Sequence, residues 1–177
     1  AIVVLSLKMR KTMTDKLFFF YGGPFSQWYP CTFNDGVLEY NCAEQYMMAE
    51  KAKLFGDHET FMKIMHSNHP REQKSLGRLV KNFNIEEWNR YARPIVVEGN
   101  YLKFSQNEDL KKILLESQDA ELVEASRTDC VWGIGLGMDN PDRFDKSKWC
   151  GTNWLGKSLM VVRDHIRLFG NTHSTII

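Results

Sequence analysis

Residues 41–57 read NCAEQYMMAEKAKLFGD, a helix-forming stretch with almost no polar face. Tyr46, Met47, Met48, Ala49 and Ala52 leave little of its circumference for water, the pattern of a helix covered on most sides by other elements. A chain carrying such a helix must supply partners to wrap it. At 177 residues it has the length of one ordinary domain and can bury that core without disulfides or metals. Glu44, near the helix start, has two compatible readings. Asn41 followed three residues later by Glu44 forms a capping-box-like pattern, the acid folding back on the cap amide at the positive helix end. Set in so apolar a helix, the same carboxylate also fits the wall of a recess. Burial raises the pKa of such a group and the helix N-terminus lowers it; the sequence leaves the balance open.

Along the chain there is no repeat, low-complexity tract or Pro/Ser-rich linker. The segment 18–23 (FFFYGG) reads as a strand. CTFN and VLEYN, joined by Asp35 and Gly36, read as a hairpin. Apolar spacings of three and four predict helices over 42–55, 58–67, 70–81, 84–91, 107–117 and 154–169. In the last, Leu155, Leu159, Val162, Ile166 and Phe169 form one stripe, Asn153 is placed to cap the start and Gly170 to stop the end. PIVVEGNYLKFSQ is ambiguous: its β-branched run suits a strand, while Pro94 at a first helical position suits a helix, the preferred reading. Residues 18–170 form the expected domain, between a leader at 1–17 and a polar tail at 171–177. The leader's apolar run is too short for a membrane helix and precedes its basic residues, so it is read as non-secretory.

Charge narrows the partners. Lys and Arg total 23 against 22 Asp and Glu, a net +1, which gives no general pull toward nucleic acid or membrane, so anion binding must be local. Cys31, Cys42, Cys130 and Cys150 show neither a C-x-x-C pair nor zinc-finger spacing with His, which points to free thiols in a reducing, cytoplasmic setting.

A second acid stands in LVEASRTDCVWGIGLG, residues 122–137. A strand-like segment runs into Asp129, then Trp132, then Gly133, Gly135 and Gly137, where backbone amides can approach a ligand. The spacing is not that of a dinucleotide-binding loop, and the following MDNPDRFD is turn-rich rather than helical. That stretch also lacks the ligand alternation and central glycine of an EF-hand. Asp129 reads equally as a turn residue. Aromatic residues cluster in FYGGPFSQWYP, with Tyr21, Phe25, Trp28 and Tyr29 around two glycines. Of the five tryptophans, at least three are expected in the core, the remainder being suited to flat ligands. WCGTNWLG adds Gly151 and Asn153 as a phosphate or hydroxyl cradle or a plain cap.

Taken in order, FYGGPFSQWYP, LEYNCAEQYMMAEKAKLFGD, HPREQKSLGR, a lone Trp88, YLKFSQN, LVEASRTDCVWGIG and WCGTNWLGKSLMVVR resemble the NADAR or YbiA-like family over residues 18–167. The resemblance implies a single α+β domain, predominantly helical with a small antiparallel β component, that hydrolyses N-glycosidic bonds. Family substrates are phosphorylated amino-pyrimidine ribosides of riboflavin biosynthesis or ADP-ribosylated guanine, free or in nucleic acid. No metal or cofactor, membrane or obligate protein partner is implied. By position, the family's acids fall on Glu44 and Asp129 and its stacking tryptophan on Trp88. Tyr21, Gly22, Ser26, Trp28, Lys53, Arg78, Trp132, Gly133 and Asn153 are expected around the ligand. Cys42 and Gln45 stand where Thr and His are more usual, and Gln45 cannot titrate near neutral pH.

The residue types suit the reaction. Cleaving a ribose–nitrogen bond builds positive charge on the anomeric carbon and negative charge on the base, which two acids can serve. By analogy with O-glycosidases, Glu44 is assigned to the sugar cation or the water and Asp129 to protonating or orienting the leaving group, the reverse remaining open. Trp88 stacks on the base, and Arg78 or Lys53 meets phosphate, unless they are solvated surface cations. Lys53 offers a covalent route through an imine. A non-catalytic ADP-ribose or nucleotide-binding module and a purely structural interaction protein are the competing classes.

Overall fold

The computed structural model describes residues 16–170; apart from Lys16 and Leu17, the leader and tail lie outside them. Six α-helices and four short strands occur among the described residues. β1 is Leu17–Phe20, β2 Phe33–Asn34, β3 Glu39–Tyr40, and β4 Glu121–Glu124. The helices are α1 Ala43–Leu54, α2 His58–His66, α3 Pro70–Gly77, α4 Ile85–Gln106, α5 Glu108–Glu116 and α6 Trp154–Phe169. This is the expected mostly helical α+β domain.

α1 is the buried helix foreseen from its composition: an unbroken run from Ala43 to Ala49, and Ala52 beyond it, is buried. α2, α3 and α4 pack around it. The approach is close at two glycines, since a β-carbon on Gly77 would fall 1.9 Å from Met48 Sδ and one on Gly99 2.5 Å from the Tyr46 ring. α4 in turn packs on α6, and α6 on β4. The antiparallel pair is the predicted hairpin, with Asp35 Oδ1 accepting the Val37 and Leu38 N–H groups at 2.9 and 2.8 Å. A second pair was not foreseen: β1 and β4 run parallel, Phe20 opposite Glu124.

Three local expectations are corrected. The break between residues 91 and 94 does not exist, because α4 runs continuously through Pro94. Proline inside a helix costs about 3 kcal/mol, offset here by burial of Trp88, Ala92, Val96 and Phe104 on the same helix. α3 stops at Gly77 rather than residue 81, since Asp57 Oδ2 captures the Lys81 N–H at 2.9 Å and Asn82 turns left-handed at φ 59°. Asn153 precedes α6 in a left-handed conformation but its side chain caps nothing. Its Oδ1 accepts the Glu124 N–H at 3.0 Å and its Nδ2 donates to Leu122 O at 2.9 Å, so it serves β4 in place of a neighbouring strand.

Among the described residues no helix is long and apolar enough to cross a membrane.

Candidate active site

Because β1 and β4 are parallel, the loops that follow them leave the same end of the pair. The first carries Tyr21, Gly22, Ser26 and Trp28, the second Ser126, Thr128, Asp129 and Trp132. Both loops, one face of α1, the end of α3 and Trp88 of α4 enclose a cavity of about 560 Å³.

The α1 contribution is set by helical arithmetic. Glu44, Met47, Met48 and Lys51 line the cavity, spaced i, i+3, i+4 and i+7 on one face. Lys53, two residues beyond Lys51, is on another face. It does not line the cavity; its ammonium pairs with Glu50 at 2.7 Å and lies 5.4 Å from the Phe61 ring centre. From α3 the cavity receives Lys74 and Gly77, with Arg78 following.

The first loop is pinned from below by α4. The Lys103 ammonium, fully buried, donates to Pro24 O at 2.7 Å and Ser26 O at 2.9 Å. One turn earlier, Asn100 Nδ2 donates to Gln27 Oε1 at 2.8 Å. Burial lowers the Lys103 pKa to about 8, because a charged amine loses hydration there that two carbonyls only partly replace.

Glu44 does not complete a capping box. Cys42 is the cap residue, and the Asn41 N–H is taken by Gln45 Oε1 at 2.8 Å. Gln45 also donates toward the Ile64, Met65 and Ser67 carbonyls, a structural role that accounts for an amide at this position. Glu44, freed from capping and only 6% exposed, faces the cavity. Its pKa is pushed up to about 7 by burial; Lys74 pulls it down, Asp129 pushes it up, and Lys51 and a hydrogen bond from the Trp28 side chain pull it down. Burial therefore outweighs the two lysines and the Trp28 hydrogen bond.

Asp129 lines the same cavity, and the turn reading also holds: its Oδ1 accepts the Val131 and Trp132 N–H groups at 2.9 and 2.8 Å. Glu124, the last residue of β4, is a third acid. Burial, then the negative charge of Asp129, raise its pKa to about 7; Lys74 opposes them and Glu44 adds to them.

Of the expected site residues, Tyr21, Gly22, Ser26, Trp28, Glu44, Arg78, Trp88, Asp129 and Trp132 line the cavity, whereas Lys53, Gly133 and Asn153 do not. Gly133 lies against β4, where a β-carbon would come 2.9 Å from Glu124 O and 3.0 Å from Asp129 O. Trp88 is the buried tryptophan; Trp132 and Trp154 are half-buried against the core, fewer full burials than expected, and Trp28 is 38% exposed. The sequence reading missed Gln27, Lys51, Lys74 and Glu124. Lys51 was legible as the seventh residue after Glu44. Glu124 was legible as an acid ending an apolar strand, the same signal that singled out Glu44. Nothing local marked Lys74.

The NADAR domain family profile matches residues 19–167. The chain is 47% identical over 164 residues to N-glycosidase R617 of Acanthamoeba polyphaga mimivirus, covering 85% of this chain and 96% of that protein. It is 33% identical over 172 residues to Protein irg-1 of Caenorhabditis elegans, covering 88% and 81%. The NMR structure of the E. coli protein YbiA superposes with a TM-score of 0.73 at 24% identity, over 93% of this chain and 92% of that one, a likeness of fold. The match of the family profile across nearly all of the described residues, together with the relatives, makes this chain a member of the NADAR domain family.

Proposed function

We propose that the cavity is the active site of an N-glycosidase that hydrolyses a ribose–nitrogen bond. The observation that carries the reading is the meeting of Glu44, buried beside Met47 and Met48, with Asp129 in one cavity whose other walls bring Lys51, Lys74 and Arg78. A desolvated carboxylate stabilises a cationic anomeric carbon or takes a proton from water, and pre-placed charge acts strongly where water is excluded. The three cations suit the phosphate or diphosphate of the substrate. Trp28 and Trp88 offer faces for the base. Glu44 serves the sugar side and Asp129, held by its turn, orients the leaving group.

Two substrate classes fit: a phosphorylated amino-pyrimidine riboside, and ADP-ribosylated guanine, free or in a strand. The enzyme is expected to act in the cytoplasm, as its free cysteines suggest. A product assay across both substrates tests the reading. Wild type should release free base from at least one, and Glu44→Gln should lower kcat by about 100-fold or more with folding retained. Intact substrate recovered from a stoichiometric complex would instead make the cavity a binding module.

A covalent route is supported at Lys51 rather than Lys53. Lys51 lines the cavity, and burial lowers its pKa. Its amine can bond to the anomeric carbon as the base departs and the ribose ring opens to an imine, which water then hydrolyses. Borohydride reduction during turnover followed by peptide mass spectrometry would find ribose on Lys51; an unmodified Lys51 leaves direct hydrolysis.

A further inference from the structure

We propose that Glu124 is the acid that protonates the departing base, complementing Glu44 on the sugar side; this rests on the glycosidase reading above.

The geometry of Glu124 fits a group that must hold and deliver a proton. Its backbone is fixed on every side: the N–H donates to Asn153 Oδ1 at 3.0 Å, the carbonyl accepts from Ile134 N at 3.0 Å, and the residue stands opposite Phe20 in the parallel ladder. The side chain therefore reaches the cavity wall from an anchored strand end. Its Oε2 is buried and meets no hydrogen-bond donor among the described residues. A carboxyl oxygen withdrawn from water without a donor is costly as an anion, which favours the protonated acid at this point of the cavity wall.

Asp129 is placed differently. Its Oδ1 is already committed as an acceptor to two backbone N–H groups, which suits orientation better than proton delivery.

The surroundings bring both glutamates close to neutrality. Glu124 is faced by Glu44 of α1, Lys74 of α3 and Asp129 of the following loop, while Lys51 and Arg78 complete the charged lining. Glu44 and Glu124 are both pushed up to about 7, chiefly by burial; the charge of Asp129 raises both, and that of Glu44 adds to Glu124. Two acids that both titrate near neutrality can stand one protonated and one ionised, the division of labour an acid–base pair needs. In the reaction the bond from the anomeric carbon to nitrogen breaks and its electron pair stays with the base. The Glu124 proton moves to the base. A water oxygen bonds to the anomeric carbon and gives its proton to Glu44. Afterwards Glu124 is ionised and Glu44 protonated, and exchange through solvent restores the starting pair.

Kinetics of Glu124→Gln on whichever riboside the wild type cleaves test this assignment. The expected result is a fall in kcat of about 100-fold or more, a substrate Kd by calorimetry within about threefold of wild type, and loss of the alkaline fall in the kcat–pH profile. Glu124→Asp, which keeps the acid on a shorter arm, should recover part of the rate and restore the alkaline limb; it also serves should the Gln variant not fold. The assignment is overturned by a Glu124→Gln kcat near that of wild type, by an alkaline limb that survives, or by a loss seen only in Kd. Absence of base release by the wild type would remove the glycosidase reading itself, and this assignment with it.

Discussion

The backbone N–H of Glu44 donates to the carbonyl oxygen of Gln27 at 2.9 Å. The first turn of α1 is thereby tied to the aromatic loop, so the acid and the Trp28 ring that contacts it move as one unit. That loop is held in turn by Asn100 and Lys103, which makes α4 the support of the candidate catalytic carboxylate.

This chain of contacts predicts that Lys103→Met, which keeps the apolar stem and removes the donors, lowers kcat/KM by about tenfold or more through loop displacement. Hydrogen exchange should quicken for residues 25–28. Unchanged exchange together with unchanged kcat/KM would show that the loop needs no support from α4.

The elevated pKa of Glu44 links stability to pH. The folded-state value, about 7, lies above the ordinary 4.5, so the fold favours the protonated form. Its contribution is complete below about pH 4.5 and is lost as pH rises through 7. Glu44→Gln carries no such charge. Relative to wild type it should gain about 2 kcal/mol or more of stability at pH 8 beyond its difference at pH 4.5. Urea unfolding at the two pH values measures this; equal differences would mean that Glu44 is not desolvated.

The two cavity tryptophans should separate by role. Trp88 is buried at 8% exposure, and Trp88→Ala should cost about 3–5 kcal/mol. Trp28, more exposed and with Lys74 Nζ 6.0 Å from its ring centre, should mainly raise KM when replaced by Ala, with a much smaller shift in Tm. Thermal melts beside steady-state kinetics distinguish them.

Gly156 marks where α6 presses on β4. A β-carbon there would lie 2.0 Å from Leu122 O and 2.5 Å from Asn153 Nδ2. Gly156→Ala should destabilise by about 3 kcal/mol and reduce activity, because the Asn153 bridge to Glu124 is displaced. A near-native Tm would show that α6 can shift without disturbing β4.

The local sequence determined a good deal. An apolar circumference in 41–57 required a wrapped helix, apolar spacing placed most helix bodies, and Asp35–Gly36 set the hairpin, because these depend on neighbours in the chain. Glu44 and Asp129 were legible as acids in unusual settings. One departure was local, Gln45 taking the Asn41 N–H in place of Glu44; the others came from distant partners, Asp57 ending α3 and burial carrying α4 through Pro94.

Only the tertiary structure decided which residues meet. The parallel pairing of β1 with β4 joins segments about a hundred residues apart in the chain, and no local pattern specifies that register. It sends the Trp28 and Asp129 loops to one side, brings Glu124 to the cavity wall and leaves Lys53 outside, since convergence depends on packing between elements whereas helix and turn formation depend on adjacent residues.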